Sequence, residues 1–248
     1  MSTPPKEADA AAAAKAAAAS RSGPWSRFVQ RHLHDYNATA TGRWLTLAAA
    51  GALAAAWALA QLAALPVADL WRVALGVVFV AVVALFPVHI PRTKYSISFA
   101  DIFVFALLAL HGTPAAALAV GAEGLVGAWR TTKRLTSRVG TPAAATATMV
   151  LCGLGYEALH VGLETAGLPA ATAMLAALCL VSLPYFAGIT LPLLAVMAAK
   201  NGQRLSLADW AQNYSWLAAI YLLSAAVAGV LAMNARQFGP AVIVLAAA

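Results

Sequence analysis

Residues 96 to 134 read SISFADIFVFALLALHGTPAAALAVGAEGLVGAWRTTKR, and two apolar runs in it are parted by His111-Gly112-Thr113-Pro114. Adjacent glycine and proline break a helix, so the stretch predicts a helical hairpin with arms at 97–111 and 114–129. Both arms fall short of the ~20 apolar residues that cross a bilayer core, which implies tilt, local thinning or partial penetration. Each arm also carries an acid, Asp101 in the first and Glu123 in the second. Carboxylates within apolar spans are costly, and they are functional candidates when they face a pocket.

Hydrophobic residues make up 62% of the 248 and charged residues only 10%. A soluble domain averages roughly 25% charged, so this is the composition of an integral membrane protein. The expected fold is an all-α polytopic helix bundle of 7–8 transmembrane helices, with spans at 44–65, 71–90, 97–111, 114–129, 142–162, 170–198 and 208–233. An eighth span starting at 239, GPAVIVLAAA, is about half the length of a crossing. It suggests a bundle over 43–248 whose last helix continues beyond the chain. Ahead of it, 1–24 read as a disordered Ala-rich cytoplasmic tail. Residues 25–42, with Trp25, Phe28, Leu33 and Tyr36 among Arg27, Arg31, His32 and His34, read as a basic amphipathic juxtamembrane segment suited to a membrane surface.

The net charge of +7 does not indicate nucleic acid, because the cations fall in short clusters between apolar runs. With the N-terminus cytoplasmic, every Lys and Arg except Arg72 and Arg236 lies on the inner side, as the positive-inside rule requires. Asp101 and Glu123 then sit in the inner half of the membrane, where Arg92, Lys94, Arg130 and Arg134 are close enough in sequence to reach them by snorkelling. For Asp101 a structural reading competes, since an acid after Ser96 and Ser98 at a helix start complements the orphan amides and the dipole.

Other features surround this hairpin. On its second arm Ala117, Gly121, Gly124 and Ala128 form a small-residue face for close helix approach, and Ala48, Ala52, Ala56 and Ala60 form a similar stripe on the first span. Pro184 and Pro192 kink the sixth span around Tyr185 and Gly188, making it a pocket wall beside the acids. The cytoplasmic loop with Arg130, Lys133, Arg134 and Arg138 can bind phosphates or lipid headgroups, or serve topology alone. At the outer side, Glu157, His160 and Glu164 share a helix face and His111 ends another span. Such a set can bind a divalent metal or respond to pH, but the expected reading is ordinary interfacial polarity, and no metal site is expected. Asp209, Trp210, Gln212, Asn213, Tyr214 and Trp216 read as a polar and aromatic interfacial end. Cys152 and Cys179 lie in apolar segments without metal-type spacing. No catalytic motif is present, so the chain reads as a non-enzyme, and no cofactor is named by the sequence.

Residues 96 to 140 resemble the hairpin of N-terminal multi-helix membrane sensor domains of bacterial signalling proteins, which precede cyclic-di-GMP cyclase or phosphodiesterase domains or histidine kinases. The pattern of an acid after small polar residues, an apolar run, Gly-x-Pro and then small residues is also similar to substrate-binding subunits of energy-coupling-factor transporters. The first resemblance implies a bacterial inner-membrane sensory module that detects a small ligand or membrane state and regulates a C-terminal cytoplasmic signalling domain. The second implies a binding or transport subunit for a small solute, and a membrane anchor or dimerisation scaffold is a third alternative. Expected partners are the lipid bilayer, a small ligand, a cytoplasmic effector domain in cis and a second copy of the chain.

Overall fold

The computed structural model describes residues 28–29, 32–89 and 96–238. The tail 1–24, the cations Arg27, Arg31, Arg92 and Lys94, and the eighth span from 239 lie outside the described residues. Among the described residues, six long helices follow one another: α1 (Ala38–Ala63), α2 (Val67–Val83), α3 (Ala100–Thr131), α4 (Leu135–Thr165), α5 (Ala170–Lys200) and α6 (Leu207–Phe238). Between α2 and α3, β1 (Val88–His89) pairs antiparallel with β2 (Ser96–Ile97), Val88 opposite Ile97.

Of the six, α1, α3, α5 and α6 through Ala235 are long and apolar enough to cross a membrane. The expectation of 7–8 spans is therefore corrected. The two short runs at 97–111 and 114–129 belong to one folded element, α3. The 17 residues of α2 extend only about 26 Å at 1.5 Å per residue. In α4, apolar length is diluted by Thr136, Ser137 and Arg138 at one end and Glu157, His160 and Glu164 at the other. The outer surface nevertheless carries exposed Leu53, Leu75, Leu151, Leu180 and Leu223, one on each of α1, α2, α4, α5 and α6. An apolar coat of that extent around a helical bundle suits hydrocarbon rather than water.

At the centre lies α3. Its residues Phe103 to Ala109 are all buried, so this arm is apolar on every side because it is enclosed on every side. Phe79 of α2 meets Phe103 edge to face at 4.8 Å, and Gly76 makes room for Leu107. Gly112 folds the element in two with φ 79° and ψ −178°, a conformation that glycine alone takes readily. Pro114 follows at the start of the second arm, where its missing N–H has no helical partner to lose. The turn is held from α4: Glu157 Oε1 accepts from the Thr113 hydroxyl at 2.5 Å and from its amide at 3.4 Å. Gly153, one helical turn earlier, leaves the space that Thr113 fills.

The second arm packs on α4 through the small residues that the sequence singled out. A Cβ at Gly121 would lie 2.7 Å from Thr146 Oγ1, and one at Gly124 would lie 3.0 Å from Pro142 Cα. The Ala48, Ala52, Ala56, Ala60 stripe faces away from the bundle core: α1 buries Ala40, Trp44, Gly51, Ala58 and Leu62 instead.

Charge is sorted between the ends. At one end Asp35 accepts from Lys200 Nζ at 2.5 Å and from Arg134 at 3.2 Å, while Arg43 donates to the Ala195 carbonyl at 2.9 Å. At the other, Arg72 pairs with Asp69 at 2.9 Å near His111. Among the described residues, Lys200, Arg134 and Arg43 thus share one end and Arg72 lies at the other. Asn37 starts α1 by accepting from the Ala40 amide at 2.8 Å, which places the helix start several residues ahead of the expected span. Just before it, Leu33 is buried with Trp44 and Val196, so the described part of the juxtamembrane segment is seated on the basic end of the bundle.

Candidate functional site

Folding at Gly112 brings the two acids to one place. In an unbroken helix, 22 residues of separation would put Asp101 and Glu123 about 33 Å apart; here they lie within electrostatic reach of each other. Both line a cavity of about 770 Å³ that both arms of α3 wall together with α4, α5 and α6. That volume lies within the ~300–1,000 Å³ of small-molecule sites. Ser98, Arg130, Thr131, Thr132 and Ser137 place its rim at the basic end.

Ser98 lies beside one of the acids. Its Oγ accepts from the Ala100 amide at 3.1 Å, capping the first arm, and its hydroxyl faces the Glu123 carboxylate. Asp101 is the second residue of α3, in its first turn, and lies on the cavity wall. Among the described residues, the second Glu123 oxygen, Oε2, is buried without a hydrogen-bond partner.

Aromatic residues form the facing wall. Tyr185 is buried and meets Phe105 at 5.5 Å and Tyr221 at 5.8 Å, both edge to face. Tyr221 in turn lies 5.6 Å from Phe186, which stacks on Trp210 at 5.4 Å. Trp210 donates to Thr190 Oγ1 at 3.1 Å, so part of the polar start of α6 serves the cavity wall rather than an interface alone.

Of the four residues predicted for the pocket, Asp101, Glu123 and Tyr185 line it and Gly188 does not. Gly188 provides close packing of α5 on α4: the Thr148 hydroxyl donates to its carbonyl at 2.9 Å. That bond has a local cause. Pro192 has no N–H to give the carbonyl four residues before it, which is that of Gly188, so a neighbouring helix supplies the donor. Sequence reasoning missed Tyr221 and Ser98 as wall residues. The signal for the first was Tyr214 and Tyr221 seven residues apart, on one face of an otherwise apolar helix.

The expectation that Arg130 and Arg134 reach the acids is corrected. Arg130 lies at the cavity rim but donates to the Leu85 carbonyl, and Arg134 pairs with Asp35. Arg138 donates to Thr132 O at 2.9 Å and covers the Trp129 ring at 4.6 Å. Three cations of the basic loop thus fasten it to its own surroundings, while Lys133 is exposed.

The outer polar set separates. Glu157 holds the hairpin turn, and His111 faces Asp69 and Arg72. His160 stacks on Tyr156 at 5.8 Å and approaches Glu164 at 3.4 Å. Among the described residues, no group of three His, Cys, Asp or Glu side chains is placed to hold a metal ion, and both cysteines are free thiols.

No protein-family model, curated protein or solved structure matches this chain. Paired carboxylates, tyrosines and an apolar wall around a partly open cavity can bind and orient a small molecule.

Proposed function

We propose that this chain is the membrane-embedded input module of a bacterial inner-membrane signalling protein, and that the cavity beneath the hairpin is its ligand site. The observation that carries the reading is that Asp101 and Glu123, far apart in sequence, line one cavity with Tyr185 and Tyr221. An anchor has no need of two acids at that depth, whose burial is costly. An occupant would touch α3, α4, α5 and α6 together, so it would bias the packing of four helices at once. A cytoplasmic effector domain in cis would read that shift.

A second reading is a substrate-binding or transport subunit. The six long helices among the described residues favour it, because such subunits have about that number, and the cavity serves capture for transfer as well as it serves sensing.

Asp101→Asn and Glu123→Gln in the native gene distinguish the two. The sensory reading expects altered output, measured as cellular cyclic-di-GMP or kinase phosphorylation, at an unchanged level of protein in the membrane. Unchanged output together with lost solute uptake would replace it by transport. If neither readout moved, the cavity would have no role in either, and a scaffold would remain.

A further inference from the structure

We infer that the cavity takes an organic cation, with one or more protonated amines on an apolar frame. The inference rests on the cavity being the ligand site and deepens that reading by naming the class of ligand.

Two carboxyl groups face the space, and one Glu123 oxygen is buried with no partner among the described residues. A buried acceptor of this kind costs free energy until a donor reaches it, and a charged N–H donor satisfies it best. Among the described residues, Arg130 donates to a backbone carbonyl and Arg134 pairs with Asp35, so neither is engaged with the acids. An anionic ligand would meet two acids, and a neutral one would leave them uncompensated.

The walls specify the remainder of the molecule. Tyr185 and Tyr221 stand beside the acids, and an aromatic ring attracts an ammonium held over its face. Val120, Ile189 and Leu193 line the same space and exclude water from an apolar frame. A bare inorganic ion would fill little of about 770 Å³ and would leave these apolar walls without contact.

The test uses the full chain in lipid nanodiscs with two fluorescent probes. Dansylcadaverine carries a terminal ammonium, and N-pentyl dansylamide has the same frame without it. Expected is saturable dansylcadaverine binding at least tenfold tighter than that of the neutral probe, displaced by phenethylamine. Glu123→Gln and Asp101→Asn should each weaken it at least tenfold while the melting temperature is retained.

Equal binding of the two probes would overturn the cation assignment and leave the ligand cavity standing. If neither probe bound saturably, the assignment and the cavity reading would fall together. Amine binding indifferent to both substitutions in folded protein would also overturn the assignment. Should either variant fail to fold, the comparison of probes on the unaltered chain decides alone.

Discussion

Gly112 is the residue on which the site depends. Its φ of 79° turns α3 back on itself, and without that reversal Asp101 and Glu123 would lie far apart along one helix. A methyl group added at this position would have its nearest neighbours 3.9 Å away, so a side chain there has room but the wrong backbone. Gly112→Ala is therefore expected to destabilise the chain by about 1–3 kcal/mol through strain alone. Gly155→Ala is the control: it lies within α4 with open space around its Cα and should gain up to about 1 kcal/mol. Unfolding of both variants in mixed micelles checks the pair, and equal effects would refute the strain account. The hairpin was legible in the sequence because Gly and Pro act through local sterics. What holds the turn was not, since Glu157 and Gly153 lie some forty residues away. Read by spacing, Glu157 belonged with His160 and Glu164; in the fold it belongs to Thr113.

At the scale of elements, α5 shows how a membrane helix with two interior prolines keeps its backbone satisfied. The carbonyl of Gly188, deprived of a donor by Pro192, receives the Thr148 hydroxyl from α4. Thr148→Val keeps the shape and removes the donor, and should cost about 0.5–2 kcal/mol, the range for interhelical hydrogen bonds in membranes. In a Pro192→Ala background the same substitution should cost less, because an N–H is restored within α5. A double-mutant cycle measures the difference, and equal costs in the two backgrounds would sink the explanation. The prolines could be read from the sequence as kinks in a pocket wall, whereas the identity of the compensating donor depended on which face of α4 meets α5. This is also why Gly188, expected in the pocket, serves packing instead.

Across the whole molecule, Asp35 joins segments that are distant in the chain. It accepts from Lys200 at the end of α5 and from Arg134 just before α4, and it sits two residues after Leu33, which is buried against Trp44 and Val196. The hydrogen bond from Lys200 is the main cause that holds the Asp35 carboxyl below its ordinary value of 3.8, with the charges of Lys200 and Arg134 adding to it. A carboxylate with a lowered folded-state pKa contributes stability that is fully present above 3.8 and is lost as pH falls through the lowered value. Protection of the Leu33 amide, taken relative to the intrinsic exchange rate at each pH, should therefore be high at neutral pH and fall only below that range. In Asp35→Asn it should be low at neutral pH and lack the acid-dependent step. High protection in the variant would show that the apolar contacts of Leu33 hold the segment without the clasp.

The sequence by itself determined the helical membrane bundle, the reversal at Gly112 and, among the described residues, the gathering of cations other than Arg72 at one end. These follow from quantities carried locally: hydropathy over a helix length, backbone sterics at Gly and Pro, and charge in loops. Only the tertiary structure decided that Glu157 holds the hairpin turn, that Tyr221 and Ser98 complete the cavity, and that Arg130 and Arg134 are engaged away from the acids. Each of those depends on which helix faces meet and at what depth. In an Ala-rich bundle many faces are small enough to pack closely, so periodicity alone does not distinguish the buried stripe of α1 from the exposed one.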